Sequence, residues 1–560
     1  MSNLSVENKK NDESRISNLS LEDLQNDLKM KESMSKKGLK KMQKKKNKKN
    51  EEKNQLFFER EKQSFSDDFA KNNYGKKKMN QSFERLGIPF QFISNLSGIM
   101  DSKNIILRAR LQTSRLQGTK MCFLLLRQHL NTVQALVIAN ENTISKQMVK
   151  WCGFISPESI VLVEGEVKKS PNIIKSSTQQ DVEIHVHKIF IESESLNRLP
   201  FQIEDASRSE NEINQDDIKD NLKFARVNLD TRLNNRIIDL RIFTNQAIFR
   251  ISSGVCQLFR EYLLQNNFIE VHTPKIISAP SEGGSNVFRL DYFKGDAYLA
   301  QSPQLYKQML ILSDFDRVFE IAPVFRAEDS NTQRHVTEFT GVDLEMSFFE
   351  HYHEVLEMVE GLFIYLFKEL PKRYMNEINV IKKQFPSSDF QFLNNNKVVR
   401  LTFKEAVDLL KKRGVRTNEN KEYYIDLSTD EERKLGMLIK ELYHTDFYCI
   451  DKFPLITRPF YTMPDPEDSN FSNSYDFYIR GEEILSGSQR IHDSEYLQER
   501  IRSMNIDPVG LTDYINSFKY GAPPHGGAGI GLERVVFLYL GLGNIRYSCL
   551  FPRDPKRLTP

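Results

Sequence analysis

Apolar and polar positions alternate along two stretches in the first half of the chain. Ile105, Leu107, Ala109 and Leu111 alternate with Arg108 and Arg110, and Val182, Ile184 and Val186 alternate with Glu183, His185 and His187. A period of two places one face of a strand on a core. Runs at Met121–Leu126, Val133–Ile138 and Ile160–Val167 have the same character, and Ser145–Trp151, between the third and fourth, suits a helix. Five strands with one inserted helix predict an all-β barrel of the OB type. A polar connector, residues 201–240, separates this region from a larger one, residues 241–560, in which the period changes. Ile248, Ile251, Val255, Leu258, Phe259 and Tyr262 mark one long helix that ends before Phe268 and a strand bounded by Pro274. Thr402 starts a second helix that stops near Gly414, and Ser428-Thr429-Asp430-Glu431 is a capping box opening a third.

Residues 1–75 contain no proline and no aromatic before Phe57, so they bury too little apolar area to fold alone. They read as a disordered or helical lysine-rich extension. Nine lysines and no acid between Lys36 and Lys49 exceed the net charge of +3 for all 560 residues, so the rest of the chain is net acidic. Lys37, Lys40, Lys41, Lys44, Lys45 and Lys48 would align on one face of a helix. That face is either a solvated charge run, a nuclear signal, or a surface that tracks a phosphate backbone. The longest apolar run, Val535 to Gly543, is far short of the ~20 residues of a membrane span. Met1–Ser14 holds Glu7, Asp12 and Glu13 with no apolar secretory segment, and five scattered cysteines form no CxxC pair, so the expectation is a cytosolic protein in a reducing compartment.

Four clusters in the larger region mix charge with turns. Ser281-Glu282-Gly283-Gly284 presents a carboxylate on a flexible turn, and Gln304 and Lys307 lie three apart on a helix started at Pro303. Phe325 to Asp329, Arg334 to Phe339 and Asp343 to Glu345 read as a hairpin with a charged loop. Glu483, Ser486 and Arg490 precede Gly526 to Arg534, whose glycines permit close ligand approach. Each cluster alone more often marks a surface network or a tight turn than a site; together they describe a site. The His185/His187 and His351/His353 pairs lack partners at metal spacing and read as structural.

The helix ending toward Pro274, then Phe325-Arg326-Ala327-Glu328 with Arg334 to Phe339, then Gly529-Ile530-Gly531-Leu532-Glu533-Arg534 resemble motifs 1, 2 and 3 of the class II aminoacyl-tRNA synthetases. Gln304 to Gln308, Thr340 to Glu345, Arg458 to Pro464 and Phe551 to Pro555 resemble the cytosolic eukaryotic aspartyl members of subclass IIb, over about Ile105 to Pro560. The resemblance implies an OB-fold anticodon-binding domain at residues 76–200, an α+β catalytic domain with an antiparallel sheet flanked by helices at 241–560, and a homodimer with Pro274 at its interface. It further implies aspartate, ATP, Mg2+ and tRNA(Asp) as substrates and cofactor. Membership of a larger synthetase assembly stays open.

By the same resemblance, Arg326, Glu328 and Arg534 are catalytic. Glu282, Ser302, Gln304, Lys307, Arg326, Asp343, Ser486 and Arg490 bind aspartate. Arg326, Glu328, Arg334, His335, Val336, Phe339, Glu483, Gly531, Leu532, Glu533 and Arg534 bind ATP. Glu483 and Ser486 hold Mg2+, with Glu345 assisting. Fixed cations at Arg490 and Lys307 would prefer a carboxylate to the near-isosteric amide. In the barrel, Phe123, Gln134 and Glu183 match anticodon-contact positions, with Phe123 as a core residue the alternative. Two other functions stay open: an asparaginyl enzyme, and a non-catalytic RNA-binding protein on the same fold.

Overall fold

The computed structural model describes residues 68–209, 211–212, 225–281, 286–395, 397–416 and 423–560. The chain divides into two compact units, meeting in sequence between Arg198 and Leu199.

The first unit is the barrel. Its strands are β1 (Tyr74–Lys76), β2 (Asn104–Gln117), β3 (Met121–Gln128), β4 (Asn131–Ile138), β5 (Ile160–Lys169) and β6 (Val182–Ser193). The order β6-β4-β3-β2-β5 closes through a β5–β6 pairing, so the expected five-stranded OB-type barrel is present, with β1 added in parallel to β6. Alternate residues Leu107, Ala109, Leu111, Leu124, Val161, Val163, Val182 and Ile184 fill its centre. The inserted helix α1 (Lys146–Cys152) starts at Ser145, whose side chain accepts from the Met148 amide. The barrel begins before the expected boundary at residue 76. Asp68 accepts from the Tyr74 and Ser145 hydroxyls, both at 2.7 Å, and Tyr74 is buried. These polar anchors carry no periodicity, which is why the sequence pattern placed the edge too late.

The second unit is built on an eight-stranded sheet. Its strands, with those of a small separate sheet, are β7 (Ile269–Glu270), β8 (Ile276–Ile277), β9 (Arg289–Tyr292), β10 (Gly295–Leu299), β11 (Arg317–Phe325), β12 (Glu338–Ser347), β13 (Val399–Thr402), β14 (Phe447–Asp451), β15 (Ser474–Ile479), β16 (Glu482–Gln489) and β17 (His525–Gly531). The large sheet runs β13-β14-β15-β16-β17-β12-β11-β7, antiparallel except at its two edges. Its helices include α2 (Phe243–Gln265), α3 (Gln304–Leu310), α4 (His353–Gln384), α5 (Phe403–Lys412), α6 (Thr429–Tyr443) and α7 (Leu532–Leu540). The stripe Ile248, Ile251, Val255, Leu258 and Phe259 of α2 joins Val355, Leu356 and Phe363 of α4 and Val535 and Val536 of α7 in one core. Val342, Leu344, Phe477, Leu485, Ala528 and Ile530 of the sheet face that core. Successive strand residues point to opposite faces, so Asp343, Glu345, Asp476, Ser486, Gly527 and Gly529 look away from it. The predicted capping box forms at Ser428/Glu431, and a second closes at Thr402/Glu405.

The expected connector at 201–240 is, in its described part, packed structure. Phe201, Ile203, Ala206 and Ile242 form a small apolar cluster. Arg236, almost fully buried, donates to the carbonyls of Leu550 at 2.8 Å and Cys549 at 2.6 Å, and both Arg232 and Arg236 pair with Asp239. Polarity suggested a solvated linker because buried arginine pairs look like surface charge in a sequence.

Candidate active site

Directly opposed residues of an antiparallel sheet share a face. Register therefore sets Glu320, Asp343, Gly529, Ser486 and Asp476 in one row across five strands. Glu345, Gly527 and Ser488 form the next row on that face. At Gly527 a Cβ would collide with the Glu345 carboxylate, so the central glycine keeps the floor low enough for that anion to lie across it.

Above the floor opens a cavity of about 270 Å3. Of the residues expected to meet an amino acid, Ser302, Gln304, Asp343, Ser486 and Arg490 line it. Of those expected to meet a nucleotide, Arg326, Glu328, Arg334, His335, Val336, Phe339, Glu483, Gly531, Glu533 and Arg534 line it. Two expected residues do not. Leu532 is buried in the core beside Val535 and Val536, because the first turn of α7 turns that side chain away from the cavity. Lys307 sits behind the wall, 3% exposed, donating to Asp343 Oδ1 at 3.0 Å and to the carbonyls of Ala528 at 3.2 Å and Leu344 at 3.4 Å. Glu282 and the lysine-rich segment lie outside the described residues.

At one end of the cavity Arg490 is 4% exposed. Its Nε and Nη2 donate to the two Glu345 oxygens at 2.8 and 3.1 Å, and its Nη1 donates to Ser488 Oγ at 2.6 Å. The Tyr461 ring lies 5.1 Å away under the guanidinium. Glu345 also pairs with Lys307 at 3.4 Å. Burial alone would raise the Glu345 carboxyl, but Arg490 and Lys307 together hold it below its ordinary value. Glu345 was expected to assist a metal; both of its oxygens instead accept from Arg490, which follows β16 directly.

The other end is acidic as well as basic. Arg458 donates to Ser486 Oγ and Asp476 Oδ2, both at 2.8 Å, and lies over the Phe453 ring at 4.0 Å. Burial pushes the Asp476 carboxyl up to about 7 against the pull of Arg458. Arg334 reaches Glu432 Oε2 and Thr429 Oγ1, each at 2.7 Å, at the start of α6. The Arg326 guanidinium stands 5.5 Å from the Phe339 ring centre, and Arg534 donates to the Glu483 carbonyl at 3.1 Å. His335 is held below its ordinary value by burial and by Arg534 and Arg334, so its ring is neutral.

Residues 228–555 match the family described as tRNA synthetases class II (D, K and N). The chain belongs to the class II tRNA synthetases. It is 52% identical over 501 residues to the cytoplasmic aspartate--tRNA ligase of Homo sapiens, covering 90% of this chain and 97% of that one. Its fold is similar to the aspartyl tRNA synthetase from Entamoeba histolytica, with a TM-score of 0.80, 48% identity, and 87% and 96% of the two chains covered. It is also similar to the asparaginyl-tRNA synthetase from Pyrococcus horikoshii complexed with asparaginyl-adenylate, with a TM-score of 0.73, 29% identity, and 84% and 100% covered.

Sequence reasoning passed over several residues in the wall of this synthetase's cavity and behind it. Arg458 was noticed only as part of a motif, and Asp476 not at all. The available signal was a lone carboxylate in the otherwise apolar run Tyr475, Phe477, Tyr478, Ile479, because an acid in a fully buried strand needs a cation or a ligand beside it. Gln308 and His525, both fully buried, gave no signal beyond polarity.

On the synthetase's barrel, Phe123, Gln134 and Glu183 come together. Leu125, Gln134 and Glu183 are opposed across β3, β4 and β6, and Phe123, Leu136 and His185 form the adjacent row. Gln134 Nε2 donates to Glu183 Oε2 at 2.9 Å. Phe123 is half-buried on the outer face, between the core residues Cys122 and Leu124, with the Arg115 guanidinium 5.4 Å from its ring centre. His185 bonds Glu183 at 3.1 Å and His353 bonds Asp451 at 2.8 Å.

Proposed function

We propose that this synthetase ligates L-aspartate to tRNA(Asp) in the cytoplasm, using ATP and passing through aspartyl-adenylate. The Arg490 guanidinium carries the reading. It has five N–H donors. Three are engaged by Glu345 and Ser488, which leaves one N–H on each terminal nitrogen for a substrate carboxylate. A side-chain amide there would set an NH2 group against a buried donor, which a site built this way rejects strongly. Glu345 supports the fork from behind, and Lys307 adds positive charge through Asp343 and Glu345. Gln304 and Ser302, which line the cavity, serve the ammonium end.

In the first step an aspartate α-carboxylate oxygen attacks the α-phosphorus of ATP, the bond to the bridging oxygen breaks, and pyrophosphate leaves. Two anions approach, so a fixed guanidinium is required, and Arg326, which lines the cavity, supplies it. Phe339 offers its ring to adenine, with Arg534 as the cation on the other side. Arg334 and His335 hold the terminal phosphates, and Glu328 and Val336 border them. In the second step a hydroxyl of the terminal tRNA adenosine attacks the aspartyl carbonyl and AMP leaves.

The donor set Glu483, Ser486 and Asp476 suits Mg2+. It offers hard oxygens, and Asp476 Oδ1 is buried with no hydrogen-bond partner. An ion that keeps waters and phosphate oxygens needs only one or two carboxylates. When bound, it neutralises charge that develops on the phosphates. Phe123 would stack on an anticodon base, a contact worth about 1–3 kcal/mol, beside Gln134 and Glu183. Pro274 is exposed, in keeping with a place at a homodimer interface.

Purified protein with aspartate, ATP and Mg2+ should catalyse pyrophosphate exchange. Protein that binds tRNA but supports no exchange with any amino acid would establish the non-catalytic alternative.

A further inference from the structure

Gln304 and Gln308 lie one turn apart on α3, and a chain of hydrogen bonds behind them has a fixed polarity. It begins at the Pro523 carbonyl, which only accepts. His525 Nδ1 stands 2.8 Å from it and therefore carries the ring hydrogen. His525 is fully buried, and burial pushes it down to about 4, so the ring is neutral and Nε2 has only a lone pair. The group 3.0 Å from Nε2 is the Gln308 side-chain nitrogen, which donates. That settles which way the Gln308 amide points. Its Oε1 accepts from the Tyr514 hydroxyl and from Gln304 Nε2, each at 2.9 Å. The Gln304 nitrogen is thereby turned inward. Its Oε1, which meets no donor among the described residues, is left for the cavity that Gln304 lines.

We infer that Gln308, held by His525 and Tyr514, is a positioning residue that turns the carbonyl end of Gln304 toward the substrate's ammonium group. The inference rests on the reading that Gln304 meets that ammonium. With the opposite orientation, Gln304 would present N–H groups to another donor and repel the substrate it should bind. The backbone already fixes the polarity before substrate arrives, because it starts at a carbonyl that cannot reverse its role.

The test compares aspartate with succinate, which keeps both carboxylates and lacks the ammonium. In full-length protein, aspartate KM and the inhibition constant of succinate are measured in pyrophosphate exchange, with ATP KM alongside. Gln308→Met should lower the preference for aspartate over succinate about tenfold, the order of one hydrogen bond to a charged group, with ATP KM unchanged. Gln308→Glu, whose carboxyl still offers an acceptor to Gln304 and a proton to His525, should restore most of it. Equal weakening of aspartate and succinate in Gln308→Met, or no change in either, overturns the inference. Should Gln308→Met not fold, His525→Leu removes the acceptor that holds Gln308 and must lower the same ratio; an unchanged ratio overturns the inference equally. Gln304→Leu separates the two layers. If it leaves the ratio intact, the ammonium reading of Gln304 fails. If it abolishes the preference while Gln308→Met does not, only the positioning role fails.

Discussion

Replacing Arg490 by leucine does two separable things. It removes the two N–H groups left for the substrate's side-chain carboxylate, and it strands Glu345, which is fully buried and loses the partner of both its oxygens. The first loss, two charge-assisted hydrogen bonds at about 1.5–3 kcal/mol each, corresponds to roughly 10²–10⁴ in aspartate kcat/KM. The second, breaking a buried pair from one side, costs about 3–5 kcal/mol of stability. Lys307 softens it only partly, since at 3.4 Å it is the one cation left on Glu345 among the described residues and is shared with Asp343 at 3.0 Å. A second substitution resolves the two effects. Glu345→Gln on the Arg490→Leu background removes the stranded charge while Lys307 keeps Asp343. Stability by denaturant unfolding should then recover by most of the lost amount, and aspartate-dependent pyrophosphate exchange should stay as low as in the single variant. If the double variant regains exchange, Arg490 is only structural. If the single variant loses exchange without losing stability, Glu345 is not the anion the geometry makes it.

Three further outcomes are expected. Burial pushes the Glu533 carboxyl from 4.5 up to about 7, so between those values the folded state holds more protons than the unfolded one and stability falls as pH rises. The effect is about 3 kcal/mol when complete, and Glu533→Gln should make the slope in that range shallower; an unaltered slope contradicts it. Thr402→Ala and Ser428→Ala, each removing one half of a formed capping box, should each lower unfolding stability by about 1 kcal/mol without touching aspartate KM. Deleting residues 1–67, which leaves β1 and Asp68 in place, should weaken tRNA binding and reduce its salt slope while aspartate activation persists; identical tRNA affinity at every salt concentration rules out the lysine face as a phosphate contact.

Periodicity revealed the barrel strands and the long stripe of α2, and spacing revealed the Ser428 capping box, because each is local and repeats or closes within a few residues. The cavity was legible as clusters, and most of the residues in them do share one wall. What the sequence hid is pairing across distance. Nothing in the spacing of Glu345 and Arg490 says that they meet, and the register through Gly527 and Ser488 is what joins them. Lys307 was expected at the substrate from the resemblance, and nothing in its helix spacing showed the Asp343, Leu344 and Ala528 oxygens already around its ammonium. Leu532 was misplaced for a related reason, as a motif names consecutive residues while a helix sends neighbours to different sides.

The central claim is that the two N–H groups of Arg490 not engaged by Glu345 or Ser488 choose a carboxylate over an amide. Its most direct measurement is kcat/KM for aspartate and asparagine in amino-acid-dependent pyrophosphate exchange with the same protein. The account predicts exchange with aspartate and an asparagine value lower by roughly 10⁴. Comparable values for the two, or a preference for asparagine, would contradict it.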